Sequence, residues 1–122
     1  MIIEAVLADT EDPTDAGADS APAPDPDLSP GQLLSLLADP HRRIIFRMLA
    51  ERGEVSCTQA IADLGLKPPA ASHHFNVMRL AALTDTRREV THRYMSLRRT
   101  ALDARFPGLV AALLRAMASE KG

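Results

Sequence analysis

Residues 56–97 read SCTQAIADLGLKPPAASHHFNVMRLAALTDTRREVTHRYMSL, and this stretch decides the fold. Ser56 followed by Gln59 is a capping-box pattern, which predicts the first turn of a helix. Gly65 predicts the end of that helix, because glycine readily adopts the left-handed conformation found there. The prolines that follow open a second helix over about 68–82, since proline is favoured in a first turn. Two short helices joined by a tight turn are typical of a helix-turn-helix motif.

A β-hairpin is predicted immediately after the second helix. Residues 84–88 and 92–97 are short stretches rich in Thr, Arg and Tyr, a composition that favours strands. Glu89, Val90 and Thr91 are expected at the hairpin tip. A hairpin in this position is typical of the winged form of the helix-turn-helix.

Further helices are predicted on both sides of this stretch. Upstream, two helices are expected over about 30–38 and 41–51, and the second begins at Asp39-Pro40. A last helical region, divided by Pro107, follows the hairpin. The predicted fold class is mainly α with a small β-hairpin, a winged helix-turn-helix. The inner face of the helix over 41–51 is expected to carry Ile44, Ile45, Met48 and Leu49.

Charge is divided unevenly along the chain. Residues 1–28 contain eight acidic residues and no lysine or arginine, whereas residues 29–122 hold all 14 basic residues and eight acidic ones, a net charge of +6. The first segment is also rich in Pro and Ala, so it cannot bury enough apolar area to offset its ordering entropy. We therefore predict a disordered acidic arm over 1–28. The basic domain of 29–122 is typical of a protein whose partner carries a phosphate backbone.

The second helix of the motif is expected to present a polar face to DNA. Ala71, Phe75 and Met78 mark its inner side, and at about 100° per residue the opposite side carries short polar or basic side chains. Such side chains can bind base edges in the major groove, which admits one α-helix. The predicted contacts from this helix are Pro69, Ser72, His73, Asn76 and Arg79.

The hairpin contributes positive charge. Its three arginines lie within seven residues of one another, a cluster suited to phosphate contact. The same arginines could instead keep an edge strand soluble. A further phosphate contact is expected from Arg42 or Arg43. The predicted contacts from the hairpin are Arg87, Arg88, Thr91, His92 and Arg93.

Three pieces of this sequence resemble the ArsR family of winged-helix repressors. They are LADPHRR at 37–43, SHH at 72–74, and TRRE followed by RYMSL within 86–97. The resemblance covers about half of the chain and implies a homodimer that binds a double-stranded DNA operator and releases it on sensing a signal. By position, it places Lys67 in the reading helix, together with Ser72, His73 and Asn76.

The sequence departs from the metal-sensing members of that family. Such members often carry a Cys-x-Cys pair in the helix before the turn, and the matching positions are Ser56 and Thr58. A thiolate pair for a soft metal is therefore missing. Another family pattern places Asp and His ligands on the last helix, but residues 100–122 contain no histidine. Apolar residues over 68–71 also replace the usual polar ones, which reduces the base contacts available to the reading helix.

Four histidines and one cysteine remain as candidate ligands or reactive groups. His73 and His74 are adjacent and point about 100° apart, which does not favour a shared ion. The sequence, which also contains His41 and His92, therefore predicts no metal site and no cofactor. Cys57 lies in a first helical turn, where the positive helix end is expected to lower the pKa of a thiol. A redox-sensing role and a small buried filler both remain open for Cys57.

A dimer interface is predicted from the first and last helices. In a domain this small, little is left to cover the leucines of these two helices, so they are expected to pair across a two-fold axis. The expected interface residues are Leu33, Leu36, Leu37, Leu109, Leu113, Leu114 and Met117.

Other function classes find less support in the sequence. It shows no nucleophile-base set, glycine-rich phosphate loop or paired carboxylates, so an enzyme is not expected. It has no apolar run of membrane-helix length and no signal-peptide pattern, so we expect a cytoplasmic protein without a membrane partner. The prediction is a sequence-specific DNA-binding transcriptional regulator, a repressor released by an unidentified small molecule or metal. A protein-interaction module, a thiol redox sensor and a ligand- or metal-buffering protein remain alternatives.

Overall fold

The computed structural model describes residues 28–120, so the predicted arm lies outside the described residues except for Leu28. The side chain of Leu28 is buried, and its carbonyl oxygen accepts a hydrogen bond from Arg105 Nε at 2.8 Å. The described elements are α1 (Pro30–Leu37), α2 (Pro40–Arg52), β1 (Glu54–Ser56), α3 (Cys57–Leu64), α4 (Pro68–Leu80), β2 (Thr84–Glu89), β3 (His92–Leu97), α5 (Arg99–Arg105) and α6 (Leu109–Ala118). This order confirms the mainly helical fold with a hairpin after the second helix of the motif. None of these helices is long and apolar enough to cross a membrane.

Polar caps begin the first two helices. Ser29 Oγ accepts a hydrogen bond from the Gln32 backbone N–H at 3.1 Å, and Gln32 Oε1 accepts one from the Ser29 backbone N–H at 2.9 Å. This reciprocal pair is a complete capping box. At the start of α2, Asp39 Oδ1 accepts from the backbone N–H groups of His41 at 2.8 Å and Arg42 at 3.1 Å. These bonds satisfy donors that have no partner within the helix.

The sheet contains one strand that the sequence does not predict. Its three antiparallel strands lie in the order β1-β3-β2, and β2 with β3 forms the predicted hairpin. The unpredicted strand β1 places Val55 opposite Met95. A strand of three residues that pairs far along the chain leaves no periodic signal, since its conformation depends on the distant partner.

The core lies between α2, α4 and the sheet. Ile45, Leu49, Met78 and Met95 are at most 2% exposed, and Phe46 packs with them. The prediction that Ile44 points inward is wrong, because this side chain is 42% exposed. At about 100° per residue, the inner face of α2 centres between positions 45 and 49 and leaves position 44 outside it.

Candidate nucleic-acid interface

The turn between α3 and α4 is built by two short-range features. Ser56 Oγ accepts a hydrogen bond from the Gln59 backbone N–H at 3.0 Å, which caps α3. The Gln59 side chain does not complete the predicted capping box and instead donates to Asp63 Oδ1 at 2.8 Å. Gly65 ends α3 with φ of +67°, a conformation that glycine adopts without a Cβ clash. The chain therefore reverses at Gly65 and enters α4.

Helix α4 has one buried face and one exposed face. Ala71, Phe75 and Met78 are buried against the core. His73 and Asn76 are exposed on the opposite side, so the helix is anchored while these two polar side chains remain accessible. Around them, Lys67 and Pro69 are exposed, whereas Ser72 and Arg79 are half-buried.

The DNA contacts predicted for the hairpin lie on two different faces of its strands. Successive residues of a strand point to opposite faces, and the register places Arg88 opposite Arg93 and Arg87 opposite Tyr94. The pair of Arg88 and Arg93 therefore shares one face, on which Arg88 is exposed and Arg93 is half-buried. The tip is a two-residue turn because Glu89 pairs with His92. Thr91 and His92 are exposed there.

Arg87 is held by acidic neighbours. It donates from Nε and Nη2 to the two carboxylate oxygens of Glu54, at 3.0 and 2.9 Å, and from Nη1 to Glu89 Oε1 at 2.9 Å. Its guanidinium also lies 4.7 Å from the ring centroid of Tyr94, within cation–π range. These bonds raise the pKa of Arg87, and the bond from Arg87 lowers the pKa of Glu54. The charge of Arg87 is thus balanced within the subunit.

The phosphate contact expected from Arg42 or Arg43 is not supported, because both side chains are used internally. Arg42 donates from Nε to the Leu36 carbonyl at 2.7 Å. Arg43 donates from Nη1 to the carbonyls of Leu37 and Ala38 at 2.8 and 2.9 Å. The two arginines of the motif LADPHRR therefore bind backbone carbonyls at the junction between α1 and α2.

Three candidate metal ligands come together beside α4. Asp39 caps α2, His41 lies in its first turn and His74 projects from the middle of α4, and one ligand atom from each lies within 4.8 Å of the others. Arg42 Nη1 is 3.2 Å from His74 Nδ1. Since a guanidinium only donates, this ring nitrogen accepts, and His74 is neutral here. Burial lowers the pKa of His74, the Asp39 carboxylate opposes that effect, and Arg42 lowers it further. The sequence alone does not reveal this cluster, because His74 lies far along the chain from Asp39 and His41. The two motifs LADPHRR and SHH nevertheless contain all three residues.

Cys57 does not have the environment expected of a reactive thiol. Its side chain is half-buried and packs against the core. Burial raises the pKa of the thiol to about 11, and the guanidinium of Arg93 opposes this only in part. The expectation of a lowered pKa at the helix end is therefore wrong, because burial disfavours the charged thiolate.

The residues predicted for a dimer interface divide into two groups. Four of them, Leu33, Leu36, Leu37 and Met117, are at most 7% exposed within the single chain, so their side chains pack into the subunit's own core. Leu109, Leu113 and Leu114 are half-buried on α6. The exposed leucine of α1 is Leu34, at 69%. Within the single chain, the face of α1 that the sequence assigned to a partner is thus buried in the subunit's own core.

A family model and two relatives named as uncharacterized HTH-type transcriptional regulators match this chain. A family model described as a helix-turn-helix domain matches residues 37–88. The HTH-type transcriptional regulator YceK of Bacillus subtilis is 34% identical over 83 residues, which are 67% of this chain and 83% of that protein. The HTH-type transcriptional regulator MJ1325 of Methanocaldococcus jannaschii is 32% identical over 60 residues, 49% of this chain and 67% of that protein.

Solved structures share the fold. HlyU from Vibrio cholerae is 28% identical with a TM-score of 0.61, over 71% of this chain and 89% of that one. The transcriptional repressor BigR from Xylella fastidiosa is 27% identical with a TM-score of 0.58, over 72% and 85%. The ArsR family transcriptional regulator RHA00566, 20% identical with a TM-score of 0.54 over 76% and 97%, shows a likeness of fold.

Proposed function

The chain belongs to the HTH-type transcriptional regulators, and we propose that it is a homodimeric repressor of the ArsR type that reads its operator with α4. The observation that carries this proposal is the division of α4 between its two faces. Ala71, Phe75 and Met78 hold the helix to the core, while His73 and Asn76 are exposed on the other side. A helix anchored in this way can enter a major groove without losing its own packing.

The side chains on this surface are proposed to bind DNA in two ways, some at base edges and others at phosphates. Asn76 and His73 bind base edges, because amide and imidazole groups both donate and accept hydrogen bonds. The phosphates on either side of the groove are bound by Lys67, Ser72 and the predicted hairpin contacts other than Arg87. These contacts position the helix without reading sequence. Arg87 contributes little, since two carboxylates already accept its hydrogen bonds.

We propose that two subunits pair through α1 and α6, and that this pairing sets the distance between the two half-sites of the operator. Arg43 joins the ends of these two helices, because it donates to the Leu37 carbonyl at 2.8 Å and pairs with the Glu120 carboxylate at 3.0 Å. Leu34 on α1 and the half-buried leucines of α6 then offer apolar surface to a partner subunit. Repression follows where the operator overlaps a promoter, and the compartment proposed is the cytoplasm. No enzymatic reaction is proposed.

Selection of bound sequences from random duplex DNA tests the proposal with the full chain. We expect enrichment of a two-fold symmetric site with half-site centres about one helical turn, roughly 34 Å, apart. Binding of the selected site should weaken steeply with salt. A chain that prefers no duplex over heparin or random DNA would contradict DNA reading. A chain that associates with other proteins regardless of the α4 surface would instead support an interaction module.

A further inference from the structure

We propose that Asp39, His41 and His74 bind one divalent transition-metal ion, Zn²⁺ or Co²⁺, in a site that joins α2 to α4. This site goes beyond the proposed function and does not depend on it. The sequence predicts no metal site, and Asp39 and His41 stand in a different motif from His74. The fold brings one donor atom of each within 4.8 Å of the other two.

The donor set is suited to these ions. Two imidazole nitrogens and one carboxylate oxygen are ligands that Zn²⁺ binds in tetrahedral sites with an open position for water. The same borderline donors suit Co²⁺, whereas Mg²⁺ and Ca²⁺ prefer oxygen ligands alone. The site has no thiolate, which distinguishes it from soft-metal sites built on cysteine.

The geometry needs only a modest contraction. Ligand bonds of about 2.0–2.1 Å place tetrahedral ligand atoms about 3.3 Å apart. Asp39 Oδ1 and His41 Nδ1 are 3.8 Å apart, and the rings of His41 and His74 have centroids 5.6 Å apart. The His41 side chain is 43% exposed, so it can rotate toward the other two ligands without disturbing the core.

Two existing contacts shape how the ion binds. Both capping bonds of α2 fall on Asp39 Oδ1. The second carboxylate oxygen takes no part in these bonds, so the carboxylate can bind the ion through either oxygen. Arg42 Nη1 donates a hydrogen bond to His74 Nδ1 at 3.2 Å. Metal coordination by either nitrogen of His74 displaces this hydrogen bond, since coordination at Nε2 moves the ring proton to Nδ1. Arg42 then remains held by its bond from Nε to the Leu36 carbonyl.

Titration of the full chain with Co²⁺, read by visible absorption and calorimetry, tests the site. We expect one ion per chain and displacement of Co²⁺ by Zn²⁺. Asp39→Asn keeps the helix cap, because asparagine caps about as well as aspartate, and His41→Ala changes an accessible side chain. Each variant should weaken the apparent affinity for Co²⁺ at least about tenfold, while thermal unfolding followed by circular dichroism shows that it still folds.

His73→Ala and His92→Ala are the matched controls, because these histidines lie on the described surface outside the cluster. Both should bind Co²⁺ like the unmodified chain. The proposal is overturned if the unmodified chain binds no Co²⁺ or Zn²⁺, or if Asp39→Asn and His41→Ala bind as it does. It is equally overturned if either control loses the ion, since a different set of histidines would then hold it.

Discussion

Arg87 and Glu54 form a two-bond ion pair between the hairpin and strand β1, with donor-acceptor distances of 3.0 and 2.9 Å. The fork of the guanidinium matches both oxygens of the carboxylate, which is the strong geometry for such a pair. The pair is exposed, with side chains 50% and 40% accessible, so its effect on stability is small. Its main consequence is electrostatic, because the Glu54 carboxylate balances the positive charge of Arg87, one of the three arginines expected to bind phosphate.

Lys67→Ala should weaken binding to specific and random duplexes alike. Lys67 is exposed at the start of α4, and losing one phosphate contact lowers the slope of log affinity against log salt by about 1. Arg87→Ala should change that slope by less than half as much. Fluorescence anisotropy over a salt series measures both, with Arg115→Ala on α6 as the control. Equal losses for Lys67→Ala and Arg115→Ala would contradict this placement of DNA.

Asn76→Ala should reduce the preference for the selected operator. Loss of a base contact costs about 1–3 kcal/mol in discrimination, while affinity for random DNA stays nearly unchanged. The melting temperature should also stay unchanged because Asn76 is exposed. Competition between operator and random duplex measures the preference. An equal loss for both DNAs would show that Asn76 contacts only the backbone.

Cys57 should react slowly with alkylating reagents. With a thiol pKa of about 11, only about one molecule in a thousand carries a thiolate at pH 8, against about a quarter for an unperturbed cysteine. The rate should rise about tenfold per pH unit until near pH 11, as followed by mass spectrometry. The same chain unfolded in guanidinium is the control. Labelling of the folded chain as fast as the unfolded one would restore the redox hypothesis.

Val90→Asn should stabilise the domain by about 1 kcal/mol. Val90 has φ of +56° at the hairpin turn, a left-handed conformation that is costly for a β-branched residue and tolerated by asparagine. Its side chain is 87% exposed, so little packing is lost. Chemical unfolding measures the gain. Thr91→Ala, at the neighbouring turn position, should not reproduce it, and no gain for Val90→Asn would argue against the turn conformation.

Leu34→Asp should dissociate the proposed dimer while leaving the subunit folded. Leu34 is 69% exposed on α1, and a charge there opposes burial against a partner. Sedimentation velocity measures the change in mass. Leu80→Asp is the matched control, because Leu80 is 62% exposed at the end of α4. Dissociation by Leu80→Asp alone would move the interface to α4.

Most of the fold is readable in the sequence because its signals are local. The cap at Asp39, the glycine stop at position 65 and the proline start of α4 all act within one turn of helix. The buried stripe of α4 follows from helical period alone. Strand β1 was missed for the opposite reason, since Val55 is a strand residue only through its pairing with Met95.

The order of elements, the helix-turn-helix and the polar face of α4 follow from the local pattern of residues, because capping, turns and periodicity depend on near neighbours. Packing, by contrast, sets which charges are balanced within the subunit and which metal-ligand atoms come together. Glu54 reaches Arg87, and Asp39 and His41 reach His74, across the fold. Coulomb forces and ligand bonds act over a few ångströms of space rather than along the chain, so residues distant in sequence acquire these properties only when packing brings them together.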